Sequence, residues 1–498
     1  MLADVPYRVE AGRDMPVLIL IKDADKYPVI ISEVTIMIKV GHLSTVYTFE
    51  VNAPVNSNLW KKVLHVKVPH EFRNQTVEVD VRIDYEINNK KKMIHNDNFT
   101  GLSHKPFFVF AAVEPQPCFA NWFPGDLHFH TDYTNDQVEF GAPMDAAVEM
   151  AHGAGLSFFA ATDHSYDLDD WEDNYLENDP DLKKWKKSRE EIVVLNSMQK
   201  DKMVILPGEE VSCSNEEGRN VHCLVLDHET FMPGSGDSAE RWLKTEAELS
   251  ISDVIKSAAP SGLVIAAHPK DPVPWLEKIL IRRGSWSAAD CRTHGINGLQ
   301  ILNGIDNHAF NLGLKEWVLQ LLEGRHTFIF AGNDAHGNFN RYRQVKIPML
   351  RLHEMEGHQA FGWARTVVWM GNDEFNVKNI ISHLRSGNAV ITNGPLVVFT
   401  LSNPKGDIFQ IGETARGENH RLHMQGKTNR EFGDFIEIKV IAGRLGGSET
   451  VLRVIKPESA LIESEIALPT DRQTYIRCEA KTSKDLFCYT NPIWVENS

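Results

Sequence analysis

The chain has 498 residues, 42% of them hydrophobic, a formal charge of −16 and six cysteines. That length allows about two to four domains; no apolar run reaches the roughly 18 residues of a membrane span, and MLADVPYRVE lacks a basic-then-apolar leader, so a cytoplasmic protein with no membrane partner is expected. The acidic balance argues against a nucleic-acid partner, which needs Lys and Arg to neutralise phosphates, and Cys118, Cys213, Cys223, Cys291, Cys478 and Cys488 lack C-x-x-C spacing, which disfavours thiolate zinc and a disulfide framework.

Up to residue 117 the pattern alternates. Val34, Ile36, Ile38 and Val40 share one strand face, and Val77, Val79, Val81, Ile83, Tyr85 and Ile87 another. Asn88-Asn89, followed by Lys90-Lys91-Lys92, reads as a hairpin turn. A β-sandwich over 1–117 is predicted. From 118 to 395 the rhythm changes: a helix over Met144–His152, stopped by Gly153 and Gly155, precedes an apolar strand, Leu156–Ala161, that runs into Thr162-Asp163-His164. The unit returns as a helix over Ser252–Pro260 before Leu263–Ala267 and His268, and again as Leu314–Glu323 before His326–Ala331 and Asn333-Asp334-Ala335-His336. Helix, glycine, buried strand and polar cluster are the grammar of an α/β barrel, whose strand ends converge on one mouth. Asp181–Glu191 (DLKKWKKSREE) reads as a solvated helix face or as a lid over that mouth. Alternation resumes over 396–498, where a second small β-sandwich is predicted.

In GDLHFHTDYTND, His128 and His130 stand at i and i+2 and so present both imidazoles to one side of a strand, with Phe129 on the other. An exposed pair of strand histidines explains H-x-H equally well. The balance moves with Asp163-His164, Glu209-Glu210, His222, His268 and Asp334-x-His336, each at the end of a short apolar run. Imidazoles and carboxylates without thiolates suit zinc, manganese or iron. Taken singly, His222 between Val221 and Cys223 reads as a core histidine, and Glu209 or Glu210 as surface charge.

The ordered motifs DLHFHT, ATDHS, PGEEVS, NVHCLVL, AAHPKDP, LQILNG and GNDAHG resemble the polymerase-and-histidinol-phosphatase (PHP) family of metal-dependent hydrolases. GNDAHGNFN, SGNAVITNGP and TNPIWV, with the flanking β-domains, resemble its CehA/McbA-type subgroup. The resemblance implies a distorted (β/α)7 barrel holding two or three divalent ions: His128, His130, Glu210 and Asp334 on the first, Glu210, His222 and His268 on the second, and His164 and His336 on a third. Asp136 stands where many relatives place a histidine for that third ion, and Gln300 where a glutamate is common. Glu209 precedes the expected ligand by one residue. Asp126 and Asp163 are expected to accept N–H bonds from bound histidines, and Asn303 to touch metals or substrate, or to cap a turn.

The expected chemistry is hydrolysis by a metal-activated hydroxide, with His268 or His336 protonating the leaving group if free to do so. A small phosphorylated substrate comes first, with Lys270, Arg219, Arg341 and Arg343 as anion contacts or plain solvated cations. A carboxyl-ester, carbamate or amide substrate is the alternative, with an apolar pocket of Trp275, Trp286 or Phe339. A non-catalytic metal-binding scaffold is the third reading. The oligomeric state is not legible.

Overall fold

Alternating β-branched residues build the first of two units into which the chain divides, Met1–Pro115 with Gly141–Leu156 and Ala335–Trp363. The computed structural model describes residues 1–99, 101–135, 139–199, 202–238, 245–305, 307–347, 350–468 and 474–496. Val34, Ile36 and Ile38 pair across strands with Ile83, Val81 and Val79, and all six are fully buried. Each such side chain stabilises the fold by about 1.5–3 kcal/mol relative to exposure. Asn88 and Asn89 both take positive φ, 51° and 58°, and join Gln75–Ile87 to Lys90–His95 in the two-residue turn whose twist suits a hairpin.

The second unit, Gln116–Phe140 with Ser157–Asp334 and Ala364–Ser498, holds a 15-stranded sheet. Along the chain the three locally predicted helix–strand pairs are present: Met144–Ala154, which belongs to the first unit, before Phe158–Ala161, Ile251–Ala258 before Leu263–Ala266, and His308–Leu322 before Phe328–Gly332. The expected α/β barrel of seven units is not. Strand accounts for 44% of the described residues and helix for 17%, and the sheet is mixed. Phe158–Ala161 runs parallel to Trp122–Phe129 and to Val204–Ser214, but Val204–Ser214 turns back antiparallel onto Asn220–Leu226, which lies antiparallel to Leu263–Ala266. Leu263–Ala266, Gly298–Asn303 and Phe328–Gly332 are again parallel. The cause is the segment Asn215–Arg219, where Gly218 takes φ 67° and a tight turn replaces a crossover helix. Beyond Trp122–Phe129 the sheet continues through Arg365–Trp369, Ala389–Thr392 and strands between Phe435 and Thr490, so it does not end at residue 395.

Alternate residues of these strands feed different apolar clusters. Leu127, Phe158, Ala160, Leu206, Leu224, Ile265 and Phe330 form one, and Val225, Val264, Ala266, Ile329 and Ala331 belong to another on the opposite face. The helix Lys183–Gln199 is not wholly solvated: Lys184, Ser188, Ile192 and Leu195 are buried at four-residue and three-residue steps, and it packs on Val204–Ser214. Among the described residues no helix is long and apolar enough to cross a membrane.

Candidate metal centre

Strand period places the first two histidines. His128 and His130 are fully buried, their Nε2 atoms 3.1 Å apart, while Phe129 packs edge-on to Phe159 on the other side. Glu210 pairs in register with Leu224, and Ser212 with His222, so Glu210 and His222 lie on one face, continuing that of the Leu224 cluster. A one-residue step reverses the face. Glu209 accordingly points away and accepts from Trp185 Nε1, Arg189 Nη2 and the Met232 main-chain N–H, with His228 Nε2 at 2.6 Å. Glu210 is the carboxylate that faces the imidazoles.

Five histidines meet that carboxylate. Nitrogens of His128 and His130 lie 3.4 Å away, His164 Nδ1 and His268 Nε2 3.1 Å, and His222 Nδ1 2.6 Å. Asp334 Oδ1 closes the group at 3.1 Å from His130 Nε2 and 3.5 Å from His128 Nε2. Among the described residues of the second unit, the donor atoms form two sets that could each hold a cation, His128–His130–Glu210–Asp334 and His164–Glu210–His222, with Glu210 common to both. His164 thus falls with His222 rather than only with a separate third ion. Asp334 and His268 hold left-handed backbone, φ 50° and 29°. Such strain costs on the order of 1–3 kcal/mol and persists at sites where the surroundings over-determine the conformation.

The outer ring nitrogens are tied down. His128 Nδ1 lies 2.9 Å from Gln300 Oε1, whose Nε2 donates to Asn303 Oδ1, and Asn303 in turn donates to Asp271. His130 Nδ1 lies 3.2 Å from Thr134 Oγ1, which donates to Asp163 Oδ1. His222 Nε2 lies 3.0 Å from Asp237 Oδ2. With the outer N–H donating, each inner nitrogen turns a lone pair toward Glu210 and Asp334, the tautomer that metal ligation requires. Lone pairs and carboxylates at 2.6–3.5 Å repel unless a cation or protons lie between them.

Electrostatics agree. Burial alone would lower the His128 pKa, but the Glu210 and Asp334 carboxylates outweigh it and push it up to about 9. His164 is raised well above its ordinary value, burial again being outweighed, here by Glu139 and Glu210. Burial would raise the Glu210 and Asp334 carboxyls, yet the surrounding imidazoles hold both well below the usual range. Positive charge is favoured at this point of the fold, and the buried imidazole and carboxylate donors could hold a metal ion.

Backbone packing leaves no slack here. A Cβ on Gly332 would meet His128 Cβ at 2.6 Å and Gln300 Nε2 at 3.1 Å, so only glycine lets the Phe328–Gly332 strand approach.

Other expected residues take different roles. Asp126 accepts from the main-chain N–H of His128 and from Asn333, and Asp163 from Thr131 and Thr134, so both brace the ligand loops. Lys270 donates to the Trp286 carbonyl and Arg219 to that of Lys278. Arg341 donates to Glu356 within the first unit, which also contains the buried His336. Phe339 belongs to that unit, Trp286 is buried and Trp275 is 69% exposed. Asp136 lies outside the described residues. Two residues escaped the sequence reading: Asp237 bonds to both His222 and Ser212, and Arg283 donates to Asp237 with Nη2 3.2 Å from His222 Nδ1. Both sit in segments without periodicity, where no motif marks them.

No family model and no curated protein matches the chain. Two solved structures align weakly with it. One is the β-glucuronidase of Parabacteroides merdae, at 8% identity and TM-score 0.18 over all of this chain and 64% of that one. The other is the β-D-mannosidase of Dictyoglomus thermophilum, at 9% and 0.22 over all of this chain and 67% of that one. The chain thus spans less than two thirds of the first enzyme's length, and overlaps this poor bear on neither fold nor chemistry.

Proposed function

We propose that the chain is a metal-dependent hydrolase, and first a phosphoesterase acting on a small phosphorylated substrate. The observation that carries the reading is the orientation of His128, His130 and His222, whose outer nitrogens meet Gln300, Thr134 and Asp237 while the inner ones converge on Glu210 and Asp334. The order of the PHP-like motifs supports it for the site residues, without the barrel. His128, His130, Glu210 and Asp334 would hold one ion, and Glu210, His164 and His222 another, with His268 beside them. Asp136 and His336, with His164, are proposed for a third from the motif resemblance. Bound divalent ions would polarise the substrate and make a nucleophile available from water near neutral pH.

The chain's own residues supply the rest. Gln300, Thr134 and Asp237 fix the imidazole orientation. Arg283 places a guanidinium beside His222 and supports an anionic substrate, and Asp237 aims that group. Hydrolysis of phosphomonoesters, phosphodiesters, carboxyl esters and aryl carbamates should be assayed after chelation and after reconstitution with zinc, manganese or iron. Metal-restored phosphoester turnover, lost in Asp334→Asn, is expected. Turnover of carbamates or carboxyl esters alone would move the assignment to that substrate class, and no turnover at full metal occupancy would leave a binding scaffold.

A further inference from the structure

We propose that a groove on the four-stranded sheet of the second unit binds a neutral oligosaccharide. The sheet orders Ile408–Gln410, Leu396–Ser402, Arg421–Lys427 and Leu461–Ala467 side by side. Gln410, Thr400, His423 and Glu465 are register partners across it, and Val398, Gln425 and Glu463 form the next row. Paired residues, and residues two apart, share a face, so both rows lie on one surface, the first crossing four strands over roughly 14 Å at the ordinary strand spacing and the second three. Trp122 and Trp369, paired on adjacent strands of the large sheet, line the same groove with Phe119. Its volume is about 710 Å³.

The lining chooses the ligand. It contains no Lys or Arg among the described residues, which disfavours phosphate or carboxylate ligands. Glu465 is already engaged by Arg421, so Glu463 is the one lining carboxylate left without an ion pair among the described residues. The side chains of Thr400, Gln410, Gln425 and Glu463 make no hydrogen bond within the described chain. Amide, hydroxyl and carboxylate groups together match sugar hydroxyls, which both donate and accept, and the partly exposed Trp369 indole, backed by the buried Trp122, covers the C–H face of a sugar ring. A compact ammonium ion would use the aromatic wall and Glu463 but leave the Thr400, Gln410 and Gln425 groups idle.

The test is native electrophoresis of the full chain through gels containing xylan, laminarin, galactomannan, glycogen or polygalacturonate, with tetramethylammonium as a competitor. The wild-type protein should be retarded by at least one neutral polysaccharide. Trp369→Ala, and the exposed double variant Gln425→Ala/Glu463→Ala, should each weaken that affinity about tenfold or more, the equivalent of about 1.4 kcal/mol. Melting curves of the double variant, whose side chains carry no internal bonds, control for folding. Free migration in every neutral gel, equal retardation of all variants, retention by polygalacturonate alone, or loss of retardation with tetramethylammonium would each overturn the proposal.

Discussion

Glu210 is the residue on which the site turns, because its single carboxylate lies within 3.4 Å of nitrogens from five histidines. The imidazoles are in turn aimed by the Gln300 amide, the Thr134 hydroxyl and the Asp237 carboxylate, and this makes Gln300 and Asp237 informative. Gln300→Ala or Asp237→Asn removes an acceptor or weakens it without touching the donor atoms, and should lower metal affinity about 10–100-fold in competition titrations with a chromogenic chelator. The fold should be retained. The pH response follows from the same charges. In the metal-free chain His128 has a pKa of about 9, above its ordinary 6.5. A raised histidine contributes stability that is fully present below pH 6.5 and is lost as pH rises through 9. The metal-free melting temperature should therefore fall between pH 6.5 and 9. Metal binding must displace that proton, so metal affinity should rise over the same interval.

At the scale of elements, the helix Lys183–Gln199 is fastened to the strand that carries Glu210. Arg189 and Trp185 reach across to Glu209, which is fully buried. Removing one partner strands the other's charge, so Glu209→Ala should cost about 3–5 kcal/mol in urea unfolding, and Glu209→Ala/Arg189→Ala less than the sum of the single changes. Reading local period found this helix, the H-x-H strand and the three helix–glycine–strand units, since those signals lie within a dozen residues. It failed on how the strands join. Asn215–Arg219 between two apolar runs is a hairpin signal, and the barrel rhythm has no place for the antiparallel pairing of Val204–Ser214 with Asn220–Leu226 that it produces. Asp237 and Arg283 reach His222 from irregular segments, where spacing carries no information about contact. The face of Glu210 was decided only by register.

For the second unit as a whole, the large sheet ties the site to the C-terminal strands. Ala389–Thr392 pairs with Phe487–Thr490, and one apolar cluster joins Trp122, Val367 and Val390 with Phe399, Phe435, Ile476 and Cys488. Truncation after Pro395 should thus yield an insoluble or protease-sensitive chain, as read by soluble expression and limited trypsin digestion. A soluble, trypsin-resistant 1–395 fragment would show that the two parts fold independently. The central claim is that the imidazoles around Glu210 form a metal centre. Elemental analysis of the purified chain, after chelation and reconstitution with zinc, manganese or iron, tests it most directly beside Glu210→Ala. The account predicts about two equivalents retained through gel filtration by the wild type, and loss of most of that metal in a still-folded Glu210→Ala. No retained metal in the wild type, or equal content in the variant, would contradict it.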